Sequence, residues 1–227
     1  MPGSLPAAIE EALSVATTVS LNIETPGEKR MVRLSQKKHY INDIIAPIKL
    51  ISNLTAKGAK YERVKQTTQF IVGAAGETDS EIVKYTGRLY SSIKMNRVYF
   101  SVYQKGLGEK NLPGENTPNV FMREHRLYQV DFLLRKYGFA ENEIVFSKDG
   151  NLSTSTDPKE VWAQNHPEFF PADVNRASRF SLLRVPGLGP LTVSRILKRR
   201  QQQRLTQIED IGKPGLRLKK AQKYLVF

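Results

Sequence analysis

Apolar and polar residues alternate at three places in the first half of the chain, and each place predicts a β-strand with one apolar and one polar face. The three strands are expected at residues 18–24, 67–73 and 97–103. Apolar residues spaced three and four apart, as on one helix face, occur at residues 6–16, 37–54 and 79–92, with a kink expected at Pro47. Strands separated by helical connections favour parallel pairing, so the pattern predicts an α/β fold.

The second half of the chain is predicted to be helical. After a loop with glycines and prolines at residues 106–117, a long amphipathic helix is expected at residues 119–137 and a short helix around Trp162. Two further short helices flank the turn V-P-G-L-G-P, in which Gly187 and Gly189 permit a tight bend. The sequence therefore predicts three regions: an α/β region at residues 1–105, a connecting helical segment at residues 106–171 and a C-terminal domain that contains the glycine turn at residues 172–227.

The polar faces of the three strands have two possible interpretations. They carry Ser20, Asn22, Glu24, Gln69, Gly73, Ser101 and Tyr103. In an α/β barrel, inward-facing side chains near the carboxyl ends of the strands build the ligand site, so one interpretation is a small-molecule pocket. The other is an amphipathic strand in an ordinary open sheet.

Composition narrows the function classes. The 227 residues include no cysteine, which excludes disulfides, thiolate zinc sites and an iron–sulfur cluster held by thiolates of this chain. The three histidines lie far apart in sequence, so no metal site is expected. No apolar stretch is long enough to cross a bilayer and the first residues do not resemble a signal peptide, so we expect a cytoplasmic protein without membrane contact.

The positive charge is unevenly placed. Residues 172–227 contain 13 Lys and Arg against 3 Asp and Glu, which is +10 of the net charge of +13 and leaves +3 for the rest. Such a concentration is the electrostatic footprint expected on nucleic acid, although a solvated basic face is the simpler interpretation of charge alone. The glycine turn within this region favours the nucleic-acid interpretation, because amides at a helix start can face a phosphate oxygen.

The candidate DNA-binding residues follow from this turn. They are Gly187, Leu188 and Gly189 in the turn and Arg195, Lys198 and Arg199 in the helix after it. Arg195 and Arg199 share a helix face, whereas Lys198 points elsewhere. Phosphate contacts of this kind do not distinguish DNA from RNA, so an RNA-directed module stays open.

The segment D-V-N-R-A-S-R-F-S-L-L-R-V-P-G-L-G-P-L-T-V-S-R-I-L resembles a helix-hairpin-helix element. It departs from the usual pattern at Val193, where a small alanine is common, so slightly wider helix packing is expected. The resemblance implies contact with the phosphate backbone without base readout.

A broader resemblance covers the whole chain. It rests on the blocks V-S-L-N-I-E-T-P, T-T-Q-F-I-V-G-A, R-V-Y-F-S, R-E-H-R-L-Y-Q-V-D-F-L-L-R-K-Y-G-F and D-P-K-E-V-W-A, the last leading to F-P-A-D-V-N-R-A. These blocks are similar to the C-terminal portion of the radical S-adenosylmethionine proteins with a helix-hairpin-helix tail, a family assigned to DNA modification or repair and associated with a uracil-DNA glycosylase-like partner. The resemblance implies the last strands of a partial barrel followed by a small all-α helix-hairpin-helix domain.

The same resemblance implies a partial S-adenosylmethionine site. Asn22 and Glu24 would lie near the ribose and amino-acid portion of the cofactor, Gln69, Ile71 and Gly73 would flank the adenine, and Ser101 would lie on the last strand. For Ile71, plain packing is the alternative. No catalytic residue is implied.

The chain departs from that family in one decisive way. The family holds a [4Fe–4S] cluster through a C-x-x-x-C-x-x-C loop, and this chain has no cysteine and begins where the third strand of the family would be ending. It is therefore expected to be a truncated or split product whose missing half is separate, or a decayed copy that retains DNA binding only. A partner carrying the cluster loop would dock on the exposed first strand.

The expected function is the DNA-binding and partial cofactor-binding portion of a radical S-adenosylmethionine repair or modification protein. In that family the cluster reduces the cofactor to a radical that abstracts hydrogen from the substrate. The alternative is a non-catalytic helix-hairpin-helix adaptor that binds nucleic acid.

Overall fold

The computed structural model describes residues 3–106 and 112–227, and it divides the chain into two compact units. Unit 1 comprises the chain up to Tyr128 together with Phe146–Thr154, and unit 2 comprises Gln129–Val145 and Ser155–Phe227. This division does not coincide with the expected boundaries near residues 105 and 171. A long helix contributes its first half to unit 1 and its second half to unit 2, which no local change of composition marks.

Unit 1 contains most of the predicted elements. The elements of this unit are α1 (Pro6–Val15), β1 (Thr18–Ser20), α2 (Glu28–Leu34), a π-helical segment (Tyr40–Ile45), α3 (Ala46–Leu54), β2 (Lys65–Val72), α4 (Asp79–Ser91), β3 (Arg97–Val102), a 3-10 turn (Pro113–Asn116) and the start of α5 (Val120–Lys136). The helix α2 was not predicted. The expected kink at Pro47 is the junction between the π-helical segment and α3. Part of the expected loop at residues 106–117, residues 107–111, lies outside the described residues.

The strands of unit 1 form one parallel sheet in the order β1-β2-β3. The fold is therefore mixed α/β, as predicted, but these strands form an open sheet and close no barrel. Of the two faces, the one with Phe70, Val98 and Phe100 is buried, whereas Gln69 and Ser101 stay partly accessible on the other. The division into an apolar and a polar face is confirmed.

The first strand is shorter than predicted for a visible reason. After Ser20 the ladder is interrupted by the side chain of Thr68, whose hydroxyl accepts a hydrogen bond from the Ile23 N–H at 3.0 Å and donates to the Leu21 carbonyl at 2.8 Å. The chain then rejoins β2 only through an isolated bridge between Glu24 and Phe70. A side-chain hydroxyl thus replaces backbone pairing here.

Tyrosine hydroxyls occupy the outer edge of β3. The N–H of Val98 donates to the Tyr90 hydroxyl at 3.0 Å, and the Phe100 N–H donates to the Tyr128 hydroxyl at 3.1 Å. The Tyr128 hydroxyl in turn donates to the Phe100 carbonyl at 2.9 Å. Backbone groups that would otherwise face an absent strand are therefore satisfied from α4 and α5.

A buried ion pair holds α5 to the start of α4. The Arg123 guanidinium lies 2.9 Å from the Asp79 carboxylate, and both side chains are nearly inaccessible to solvent. The second Asp79 oxygen accepts from the Leu152 N–H at 2.9 Å, and Arg123 also donates to the Glu77 carbonyl. Burial raises the pKa of Asp79, while the Arg123 charge opposes that rise.

Unit 2 contains the rest of α5 and a set of short elements. They are a 3-10 turn (Glu141–Glu143), α6 (Pro158–Asn165), a 3-10 turn (Pro167–Phe169), β4 (Ala172–Asp173), α7 (Arg179–Arg184), α8 (Pro190–Arg199), a 3-10 turn (Ile208–Asp210), α9 (Leu216–Gln222) and β5 (Leu225–Val226). The strands β4 and β5 pair in parallel, which ties the end of the chain to the segment before α7. Neither strand nor α9 was predicted.

We expect Tyr128→Phe to lower the free energy of unfolding by about 1–3 kcal/mol, because it leaves the Phe100 N–H and carbonyl without partners in a buried place. Tyr99→Phe is the matched control, since Tyr99 is exposed and should change stability by less than about 0.5 kcal/mol. Urea denaturation followed by circular dichroism measures both. Equal stabilities for the two variants would contradict the edge-capping role.

Candidate nucleic-acid interface

The predicted hairpin is present between α7 and α8. The Ser178 hydroxyl caps α7 by accepting a hydrogen bond from the Ser181 N–H at 3.0 Å. The turn closes when the Leu188 N–H donates to the Val185 carbonyl at 3.1 Å, and α8 then begins at Pro190, as its fixed φ angle favours.

An apolar core positions the hairpin. Leu182, Val185 and Ile196 are fully buried, and so is Val193. They belong to a cluster in unit 2 that also includes Leu205, Ile208, Ile211 and Ala221. The hairpin is therefore a rigid element on which backbone groups keep a fixed direction.

Gly187 has a structural role that the sequence did not reveal. Its φ angle is +88°, and a β-carbon built there would lie 2.2 Å from the carbonyl oxygen of Arg217 in α9. The turn thus packs directly against the backbone of another helix, and any side chain would separate the two. This close approach, as well as the bend, requires glycine.

Gly189 is in a different situation. Its backbone is extended, and a β-carbon there would meet only the Tyr137 hydroxyl at 3.4 Å, an ordinary contact. Within the described part of the chain, neither its N–H nor that of Gly187 donates a hydrogen bond. These two donors, together with the first amides of α8, are the groups that the sequence predicted for a phosphate oxygen.

Leu188 is turned inward. Its side chain is 1% exposed, its N–H is used by Val185, and its carbonyl accepts a hydrogen bond from the Lys159 ammonium at 2.6 Å. Of the three predicted turn residues, the structure therefore leaves two with available amides.

The three predicted cations of α8 are exposed, but two of them also make internal bonds. Arg195 donates to the Ile211 carbonyl at 3.5 Å and Arg199 donates to the Asp210 carbonyl, so both guanidinium groups help to hold the segment before α9. Lys198 has no hydrogen bond or ion pair within the described residues. It is the predicted cation with the most freedom to meet a phosphate.

Sequence reasoning missed the cations of α9. Gly187 and Gly189 line a cavity of about 430 Å³, and the exposed Arg217 and the partly exposed Lys220 line it with them. Lys220 is bound to the Glu160 carboxylate at 2.6 Å, whereas no described residue forms an ion pair with Arg217. The segment G-K-P-G-L-R-L-K-K resembles the hairpin turn V-P-G-L-G-P in its glycine, proline and leucine content. This similarity is the sequence feature from which α9 could have been predicted.

Not every basic residue of this region contributes surface charge. The Arg184 side chain is buried and donates to the Glu143 carboxylate at 2.6 Å. Its guanidinium also lies 3.3 Å from the ring centre of Phe180 and 4.4 Å from that of Phe139. This arginine is therefore an internal cation between aromatic rings.

Three of the predicted cofactor residues, Gln69, Ile71 and Ser101, share one side of the sheet in unit 1. Gln69 and Ile71 pair in register with Tyr99 and Ser101, and Glu24 bonds to the same stretch of β2 through the Gln69 carbonyl at 2.9 Å and the Ile71 N–H at 2.7 Å. Asn22 is partly exposed, and its side-chain oxygen accepts from the Ser20 hydroxyl at 3.2 Å. Glu24, Gln69, Ile71 and Ser101 are thus neighbours.

Glu24 is unusual within this group because its φ angle is +63°, a left-handed conformation that costs energy for a residue with a side chain. Burial raises the pKa of its carboxyl group, and the charge of Lys38 opposes the rise.

Gly73 differs from the other five predicted cofactor residues, which are all partly exposed. It is buried, its N–H donates to the Glu77 carboxylate, and its carbonyl accepts from the Thr117 hydroxyl at 3.1 Å. A β-carbon at Gly73 would meet the side chains of Thr117 and Val120 at 3.1 Å. The accessible side of the sheet therefore does not include it.

Among the described residues, no three His, Asp or Glu side chains cluster in a way that could hold a metal ion, and no helix has the length and apolar character needed to cross a membrane. Comparison of the chain with protein-family models, with curated proteins and with solved structures found no match.

We expect Gly187→Ala to destabilise the protein by at least about 2 kcal/mol, since it combines a left-handed φ angle with a backbone clash. Gly189→Ala is the matched control and should cost no more than about 1 kcal/mol. Thermal unfolding of the two variants gives the comparison. If both lower the melting temperature equally, the packing of Gly187 on α9 is not the constraint described.

Proposed function

We propose that this chain binds DNA through unit 2, holding the phosphate backbone with the hairpin amides and with cations of α8 and α9. The observation that carries the proposal is the pair of unbonded N–H groups of Gly187 and Gly189 beside the exposed Arg217 on one cavity wall. Backbone donors together with a flexible cation fit a phosphate group, because they satisfy its oxygens and neutralise its charge.

The charge of the region supports the same proposal. Six of its basic residues are exposed without an internal partner among the described residues, namely Lys198, Arg204, Lys213, Arg217, Lys219 and Lys223. Each phosphate neutralised by such a cation releases a bound counterion, which gives binding that depends on salt and little on sequence.

Two exposed leucines add an apolar component. Leu191 is 85% exposed in the first turn of α8, and Leu216 is 90% exposed in the first turn of α9. Contact with deoxyribose or with a base edge would remove both from water, as apolar residues of minor-groove proteins do.

Loss of the Arg217 or Lys198 side chain should weaken binding to a random-sequence DNA duplex. We expect Arg217→Ala and Lys198→Ala each to lower the affinity about three- to tenfold at low salt and to reduce the slope of log affinity against log salt by about one. Fluorescence anisotropy across a salt series measures both quantities.

Lys57→Ala is the matched control, because Lys57 is an exposed lysine of unit 1 and should leave the slope unchanged. Equal losses for Lys57→Ala and Arg217→Ala would show that only net charge matters and would contradict the proposed site. Tighter binding of an RNA duplex than of the DNA duplex under the same conditions would redirect the proposal to RNA.

A second candidate function, favoured by the strained Glu24, is partial S-adenosylmethionine binding beside the sheet of unit 1. Asn22, Glu24, Gln69 and Ser101 offer the carboxylate, amide and hydroxyl groups that bind ribose hydroxyls and an ammonium group. The cofactor supplies hydrogen-abstracting chemistry beside a reduced iron–sulfur cluster, whose thiolates would have to come from a separate polypeptide because this chain has no cysteine. On the basis of these residues, we propose that this portion of the chain is related to the radical S-adenosylmethionine proteins.

Calorimetric titration with S-adenosylmethionine tests this second function. We expect measurable binding by the unaltered chain and at least a fivefold loss of affinity in Glu24→Ala and in Gln69→Ala, because each removes a polar partner of the ligand. Tyr99→Phe, on the same side of the sheet, should bind normally. Absence of heat with the unaltered chain would leave the non-catalytic adaptor as the function.

A further inference from the structure

Lys159 is the buried lysine of unit 2, and its surroundings are unusual for an ammonium group. Its side chain leaves α6 one residue after Pro158 and is 8% exposed. The Nζ atom donates to the Leu188 carbonyl at 2.6 Å and lies 4.6 Å from the ring centre of Tyr137. No described carboxylate lies within ion-pair distance of it, so burial of the charge is poorly compensated.

The charges around Lys159 come from every helix packed against it. Desolvation is the main cause that lowers the pKa of Lys159 to about 7; the Asp157 carboxylate opposes this shift and the Arg184 charge adds to it. Tyr137, Arg217 and Lys220 line the same cavity. At pH 7.5 a pKa of 7 leaves about three quarters of the amine neutral, compared with about 0.1% for an ordinary exposed lysine.

The single hydrogen bond to Leu188 also fixes how the neutral amine is presented. One N–H is held by the carbonyl, and a neutral amine keeps a lone pair that this hydrogen bond does not use, on a residue that lines the cavity. At about 430 Å³ the cavity lies within the roughly 300–1,000 Å³ range of small-molecule sites. A neutral primary amine in such a place is a nucleophile for carbonyl carbon.

The ligand class follows from the other walls of the cavity. Gly187, Gly189 and Arg217, the proposed phosphate-binding groups, line it together with Lys159. A phosphate held by these groups would bring the sugar next to it to the cavity. The sugar that carries a reactive carbonyl is the ring-opened deoxyribose of an abasic nucleotide, whose C1′ is an aldehyde.

We propose that Lys159 forms a Schiff base with the C1′ aldehyde of an abasic nucleotide, an activity that rests on the DNA binding proposed above. The Nζ lone pair forms a bond to C1′, and a proton moves from nitrogen to the former carbonyl oxygen to give a carbinolamine. That oxygen then accepts a second proton and leaves as water, and the nitrogen electrons form the C=N bond. The Asp157 carboxyl and the Tyr137 hydroxyl line the cavity as groups that can carry these protons.

The test is reductive trapping with the full chain and a DNA duplex that carries one abasic site. Sodium cyanoborohydride converts a Schiff base into a stable secondary amine, so the adduct migrates as a covalent protein–DNA species. We expect an adduct with this duplex and none with an intact duplex. Peptide mass mapping of the adduct from the unaltered chain should locate the added deoxyribose on Lys159, which avoids dependence on a variant that fails to fold.

Variants and pH provide the controls. Lys159→Met should lower the adduct yield at least tenfold while duplex affinity stays within about threefold, and Lys57→Met should leave the yield unchanged. With DNA bound to saturation, the yield should rise between pH 6 and 8 and then level, whereas ordinary surface lysines would give a yield still rising at pH 9.

The possible outcomes separate this inference from the proposed function. Normal salt-dependent binding of the abasic duplex without an adduct, or with the adduct mapped to other lysines, overturns the role of Lys159 and leaves DNA binding intact. Failure to bind either duplex overturns the proposed function and this inference together.

Discussion

The direct contact between the hairpin turn and the backbone of α9 is the constraint on which unit 2 depends. Gly187 lies so close to the Arg217 carbonyl that only hydrogen fits at its α-carbon. This approach brings α9 beside the turn, so that Arg217 and Gly189 line the same cavity. The proposed phosphate contact and the proposed amine chemistry both require that shared wall.

This arrangement buries two basic side chains, Arg184 and Lys159, and removing such groups from water costs free energy. Arg184 and Lys159 are both withdrawn from water, and the Arg184 charge contributes to the lowered pKa of Lys159. The Arg184 guanidinium pairs with the Glu143 carboxylate and lies against aromatic rings, which compensates its burial. Among the described residues, Lys159 has a carbonyl and an aromatic ring beside its ammonium group but no ion-pair partner, and burial lowers its pKa to about 7.

Sequence patterns predicted those parts of the molecule that local chemistry determines. The three parallel strands, the two faces of the sheet, the junction at Pro47 and the hairpin all follow from periodicity, proline and glycine. The patterns failed where contacts between residues far apart in the sequence determine the structure. Thr68 shortens β1 by taking the place of a ladder bond, β4 pairs with β5 from far along the chain, and the burial of Lys159 and Arg184 depends on helices that α6 and α7 meet only in the folded unit. The count of basic residues therefore overstated the surface charge.

The tyrosines beside β3 determine which edge of the small sheet can pair with a further strand. Because Tyr90 and Tyr128 already satisfy the backbone of that flank, a fourth strand cannot join there without first displacing an aromatic side chain from a helix. On the opposite flank, β2 is the only described strand that pairs with β1. A further strand therefore has to pair with the three residues of β1 and not with β3. This holds whether the strand comes from a second copy of the chain or from another polypeptide.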